Sequence, residues 1–100
     1  MITVLQHITF DTDEKLSCSA MFFSTGQHQR SPLAKQLGCD FTEKGVVVTG
    51  KYESTNVPGL YVTGNASRAV QLVIVAAAEG AEAAFAINTA LLKEDIASPE

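Results

Sequence analysis

The first third of the chain alternates loosely between apolar and polar positions. Residues 2–10 are rich in β-branched side chains, the polar cluster DTDEK interrupts them, and residues 16–24 resume an apolar run. Two such runs about a turn-forming cluster predict a β-hairpin. Gly26 closes its second strand, and QHQRSP follows as a loop. Ser31 can cap free amides and Pro32 suits a first helical turn, so a short helix is expected over residues 32–37, stopped by Gly38. Phe41-Thr42, the turn Glu43-Lys44-Gly45 and residues 46–49 then suggest a second small hairpin. Residues 51–57 form a polar connection, and Pro58-Gly59 supplies the two φ values a type II turn requires. Residues 60–63, LYVT, lack alternation, the pattern of a strand buried on both faces.

From Ser67, a plausible N-cap, the pattern turns helical and continues to about Lys93, leaving residues 96–99 as a frayed tail. At about 1.5 Å per residue this helix would be nearly ~40 Å long. Its first half, with Val70, Leu72, Val73, Ile74, Val75 and three alanines, is apolar on nearly every face, and such a helix must be covered all round. Two hairpins, a short helix and a four-residue strand cannot enclose it. The chain is therefore expected to expose an apolar patch or to associate. Large apolar patches usually mark interfaces.

Composition narrows the picture. The chain has 100 residues, 46% hydrophobic and 18% charged, with no internal repeat or linker, and reads as one domain or one fragment of a domain. A domain this small buries only about two-thirds of its unfolded surface, which leaves a thin stability margin. The net charge is −4, and Lys and Arg fall singly, so no basic stripe exists to meet a nucleic-acid backbone. The N-terminal sequence lacks the pattern of a secretory signal, and a cytoplasmic location is expected. The continuous apolar run at residues 72–78 is too short to span a bilayer, so no membrane partner is expected. Cys18 and Cys39 have neither CxxC nor zinc-knuckle spacing and read as two semi-buried thiols.

Three motif matches carry no chemistry. GVVVTGK, residues 45–51, has the GxxxxGK spacing of a phosphate loop, but Tyr52 stands where Ser or Thr must hold magnesium, VVVT prefers a strand, and no helix follows. Asn65-Ala66-Ser67 is a glycosylation sequon without a secretory context. His7 and His28 have no second metal ligand and no nucleophile nearby in sequence, so neither a metal site nor a catalytic residue is assigned.

Residues 55–80 are more specific. Thr55, Pro58 and Gly59 lead into LYVT, then Gly64-Asn65, then QLVIVAAAEG. This order and spacing resemble the flavin-facing segment of the thioredoxin-reductase-like FAD/NAD(P)-dependent oxidoreductases, in which a TxxPG turn, a strand ending in Gly-Asp and a QxxxxAAxEG helix follow one another. Upstream, AMFFSTGQHQRSPLAKQLGC is similar to the family strand that re-enters the FAD domain, and residues 1–24 resemble the end of the NAD(P)H domain. The resemblance implies an α/β fold class: a partial FAD/NAD(P)-binding fold of β-hairpins and a short buried strand packed on one long C-terminal helix. It implies cofactor contacts at Gly64, Asn65, Gln71, Leu72 and Val73. The glycine lets backbone approach FAD, the next side chain bonds its ribityl and pyrophosphate region, and the helix N-terminus faces the pyrimidine edge of the flavin, where reduction places negative charge.

Two departures stand out. Asn65 occupies the usual Asp position, keeping an acceptor but losing charge assistance. Val70 stands where Arg is often found. Neither a GxGxxG fingerprint nor a CxxC pair is present, so the resemblance implies no catalytic residue, no NAD(P)H site on this chain alone, and FAD binding only when the missing half is supplied. The expected partner is a complementary N-terminal flavoprotein half or a second copy of the chain. The alternative is a non-catalytic oligomerisation or partner-binding module that reuses the fold fragment; a decayed fragment of weak folding cooperativity is the third reading.

Overall fold

A computed structural model describes residues 4–23 and 25–98. Its architecture is α/β: a short antiparallel hairpin, a series of tight turns, and one long C-terminal helix. β1 (His7–Thr9) pairs with β2 (Lys15–Ser17) in the register His7↔Ser17, Ile8↔Leu16 and Thr9↔Lys15. Phe10 N–H donates to the Glu14 carbonyl at 2.8 Å and Asp13 adopts φ 68°, which closes the polar turn. The hairpin is thus where the alternation places it, but much shorter than the runs 2–10 and 16–24; their ends at Ile2, Thr3 and Ser24 lie outside the described residues. The reason is physical. A two-stranded ribbon with no covering layer is marginal, and Val4, Leu5, Leu16, Met21, Phe22 and Phe23 all remain exposed.

α1 (Leu33–Gln36) starts as expected, with Leu33 N–H donating to Ser31 Oγ at 3.2 Å. Gly38, at φ 91°, ends it. The second hairpin is reduced to one bridge, Phe41↔Val47, flanked by Thr42 N–H to the Val46 carbonyl and Val48 N–H to the Asp40 carbonyl. The expected strand at 60–63 is also a single bridge, Ser54↔Tyr61. These four residues are half-buried rather than covered on both faces, because only one edge has a partner. The intervening turn agrees with the sequence: Gly59 has φ 81° and Leu60 N–H reaches the Val57 carbonyl.

α2 is Val73–Ala97, five residues later at its start than the Ser67 cap predicts. Gly64–Ala66 forms a 3₁₀ turn instead, and Ser67 closes it, its N–H and Oγ both donating to the Gly64 carbonyl. Ser67 thus ends one turn rather than starting a helix, and Leu72, extended (φ −116°, ψ 133°), stands at the point where α2 begins. Gln71 and Leu72 therefore precede the helix.

Among the described elements the helix packs on two, the 3₁₀ turns at Lys51–Glu53 and Gly64–Ala66. Val73, Ile74 and Phe85 are 89%, 75% and 64% exposed. By length and mean hydropathy, 1.3, α2 would suffice to cross a bilayer; within it Glu79 is buried and ion-paired. Among the described residues the buried apolar core is Cys39, Val46, Val47 and Ala83. Cys18 is half-buried, and both thiols are free.

The radius of gyration, 20.7 Å, and the extents, 73 × 25 × 25 Å, contrast with about 13 Å for a compact chain of this length. The accessible surface is 8359 Å², where a compact monomer of this mass exposes about 5,500 Å². The excess follows from the elongated shape.

Candidate functional site

The resemblance points to Gly64, and the structure gives that glycine a defined task. It sits at φ 75°, a conformation that L side chains rarely adopt. Its N–H donates to Glu79 Oε2 at 2.9 Å and its carbonyl accepts from Ser67, so the peptide groups on both sides of Gly64 are tied. Asn65 follows, exposed at the tip.

Asn65 and Gln71 line one open cavity of ≈ 780 Å³, together with Phe23 and the loop Gly26, Gln27, His28, Gln29 and Arg30. Two stitches bring these distant segments together. Gln29 Nε2 donates to the Ala66 carbonyl at 2.9 Å and to the Gly45 carbonyl at 3.0 Å, and Gln27 Nε2 reaches the Ala69 carbonyl at 3.3 Å. Val47 N–H adds a bond to the Ala66 carbonyl at 2.8 Å. Gly45 permits this approach, since a Cβ there would lie 2.8 Å from the Gln27 carbonyl oxygen. The Gln27 Oε1 acceptor is buried without a partner, an expensive state for an amide. It lies in a residue that lines the cavity and asks for a hydroxyl or water donor.

Gly64, Leu72 and Val73 stand apart from this lining. Gly64 is behind the rim, Leu72 is the extended residue before α2, and Val73 is its first residue. The helix start has no side-chain cap and no acidic residue in its first turn. Its leading amides are without helical acceptors, and the dipole there favours negative charge. Among the described residues no three His, Cys, Asp or Glu side chains gather to hold a metal.

The sequence reading missed the polar network behind the site. Arg68 Nε donates to Glu79 Oε1 at 2.6 Å and Arg68 Nη2 to Glu53 Oε1 at 3.1 Å. Thr49 Oγ1 donates to the other Glu53 oxygen at 3.3 Å. Glu53 and Glu79 are 2% and 4% exposed, whereas the Arg68 side chain is half in solvent. The Arg68 guanidinium is held above its ordinary value, first by the hydrogen bond to Glu79 and then by the charge of Glu53. One signal was available: a single carboxylate in the apolar run VIVAAAEG demands a partner if buried.

Comparison with known proteins bears on this arrangement. The profile of the pyridine nucleotide-disulphide oxidoreductases matches residues 3–80. The glutamate synthase [NADPH] small chain of Mycobacterium tuberculosis is 41% identical over 64 residues, covering 64% of this chain and 13% of that protein. The mercuric reductase of Shewanella putrefaciens is 31% identical over 85 residues, covering 83% and 15%. The crystal structure of HlmI superposes with a TM-score of 0.71 at 31% identity, over 94% of this chain and 30% of that one. This chain thus spans 13–16% of the length of the curated relatives it matches.

Proposed function

The chain belongs to the pyridine nucleotide-disulphide oxidoreductase family, and on that premise we propose that it is the C-terminal FAD-binding segment of a thioredoxin-reductase-like flavoprotein, supplying one wall of the flavin site. The observation that carries the reading is the cavity where Asn65 and Gln71 meet the Gly26–Arg30 loop, with the unpartnered Gln27 amide oxygen in one of its lining residues. The donor set suits a polyhydroxylated ligand. Asn65 and Gln71 offer both donors and acceptors, and Gln27 Oε1 can accept from a hydroxyl.

FAD would be held by Asn65 at its ribityl and pyrophosphate region and by Gln71 beside it, with Gly64 allowing close backbone approach. The amides at Leu72 and Val73, where α2 begins, would face the pyrimidine edge. When bound, FAD supplies the hydride and electron chemistry. The chain's own residues orient and polarise; none of them is assigned a catalytic role. Catalysis from NAD(P)H would require the glycine-rich nucleotide sites of a complementary half, and the extended shape supports such an assembly.

Isotope-labelled protein, mixed with an unlabelled N-terminal fragment of a family member and titrated with FAD, tests the cavity directly. Amide and side-chain resonances of Gly26, Gln27, Asn65 and Gln71 are expected to shift together, while those of the β1–β2 hairpin stay put. Shifts confined to residues away from the cavity would refute the assignment.

A second reading is favoured by a separate observation, the uncovered apolar face of α2. A non-catalytic module that pairs through this face would self-associate without flavin. Light scattering that finds a monomer at every concentration excludes it.

A further inference from the structure

We propose that Glu79 is the positioning residue of the cavity: by accepting the Gly64 N–H it fixes the turn from which Asn65 faces the cavity, with Arg68 and Glu53 holding its carboxylate in place. What Asn65 contacts rests on the flavin reading; the brace itself rests on the geometry.

The direction of Asn65 is set by the peptide groups on either side of Gly64. Glu79 Oε2 holds the first and Ser67 holds the second. Without these ties, a glycine is the residue least able to hold one conformation, since positive and negative φ are nearly equal for it. The long helix thus reaches back through one side chain to lock a turn that its own backbone does not contain. That side chain is an unusual choice for packing alone. A buried carboxylate on an apolar helix is costly, and an apolar residue of similar volume would often pack as stably.

Glu53 is delivered at comparable cost. Tyr52 and Glu53 occupy left-handed conformations in succession (φ 55° and 62°), which L residues adopt reluctantly. The strained turn places Glu53 against Thr49 and Arg68, opposite Glu79. Arg68 then spans both carboxylates, and its two bonds leave the Glu79 oxygen facing Gly64 free to accept the amide. Two costly features meet on one guanidinium, and the group they fix is the turn carrying Asn65.

Hydrogen exchange of the intact chain, and FAD titration of the chain mixed with an N-terminal fragment of a family member, compared across variants, test this. Glu79→Ala is expected to speed exchange of the Gly64 amide about tenfold or more, the change a charge-assisted hydrogen bond supports. Arg68→Gln, safer for folding because Arg68 is half-exposed, is expected to speed it several-fold. Glu79→Gln retains an acceptor oxygen and should restore most of the protection. Asn65→Ala should weaken FAD binding while leaving Gly64 exchange unchanged, and Glu79→Ala should weaken FAD binding without touching Asn65. Unchanged Gly64 exchange in both Glu79→Ala and Arg68→Gln overturns the proposal. So does equal acceleration at the Cys39 amide, bonded to the Ala34 carbonyl outside this network, which marks general loosening, and so does full FAD affinity in Glu79→Ala. If the wild-type chain supplied with that fragment shows no response to FAD, the flavin reading fails, and the exchange comparison alone decides the brace.

Discussion

At Asn65 the chain keeps the geometry of an acceptor and gives up its charge. A neutral hydrogen bond contributes about 0.5–1.5 kcal/mol and one to a charged group about 1.5–3 kcal/mol. Asn65→Asp should therefore tighten FAD binding by roughly tenfold, and Asn65→Ala should weaken it, both read from the midpoint of a flavin titration. Arg68 has the opposite character, a charge shared by two carboxylates. Because its pKa is raised on folding, its stabilising contribution is fully present below the ordinary arginine range and is lost only as pH rises through the raised value. The arginine itself should thus contribute no pH dependence to stability between pH 6 and 9. Arg68→Ala is expected to cost about 2 kcal/mol in urea unfolding. That is less than the ~3–5 kcal/mol of a fully buried pair, because the guanidinium remains half in water.

At the scale of elements, turns hold the site and the helix supports it. Gly45→Ala would put a methyl 2.8 Å from the Gln27 carbonyl, on a backbone at φ 84°. The substitution should destabilise the chain by more than ~1 kcal/mol and displace the Gln27–Arg30 loop, read as coupled loss of stability and of resonance dispersion at Gln27 and Gln29. The turns were legible in the sequence because their chemistry is local: Pro58-Gly59, Gly45 and the Ser31 cap each act within a few residues. The start of α2 was not. Ser67 looks like an N-cap, but its hydroxyl bonds the Gly64 carbonyl, three residues back. The strand at 60–63 has the composition of a buried one, and its second edge finds no neighbour. Gly64, Asn65 and Gln71 were singled out by the family resemblance, whereas Gln27 and Gln29, stitched to Ala69 and Ala66 across 42 and 37 positions through long amide side chains, left no trace in any local pattern.

For the whole molecule, the decisive quantities are shape and surface. A chain 73 Å long with 8359 Å² accessible has more apolar surface than it can cover, and α2 carries much of it. The sequence anticipated this from a helix apolar all round, and the relatives it matches are several times longer than the part matched here. Alone, the chain should bind a hydrophobic dye, and that binding should fall when the apolar face of α2 is covered.

The most direct measurement mixes the purified chain with FAD, with and without an N-terminal fragment of a family member that carries the glycine-rich nucleotide fingerprint. The account predicts a bound-flavin visible spectrum in the mixture, reduced by Asn65→Ala. A mixture in which the flavin keeps its free spectrum would contradict it.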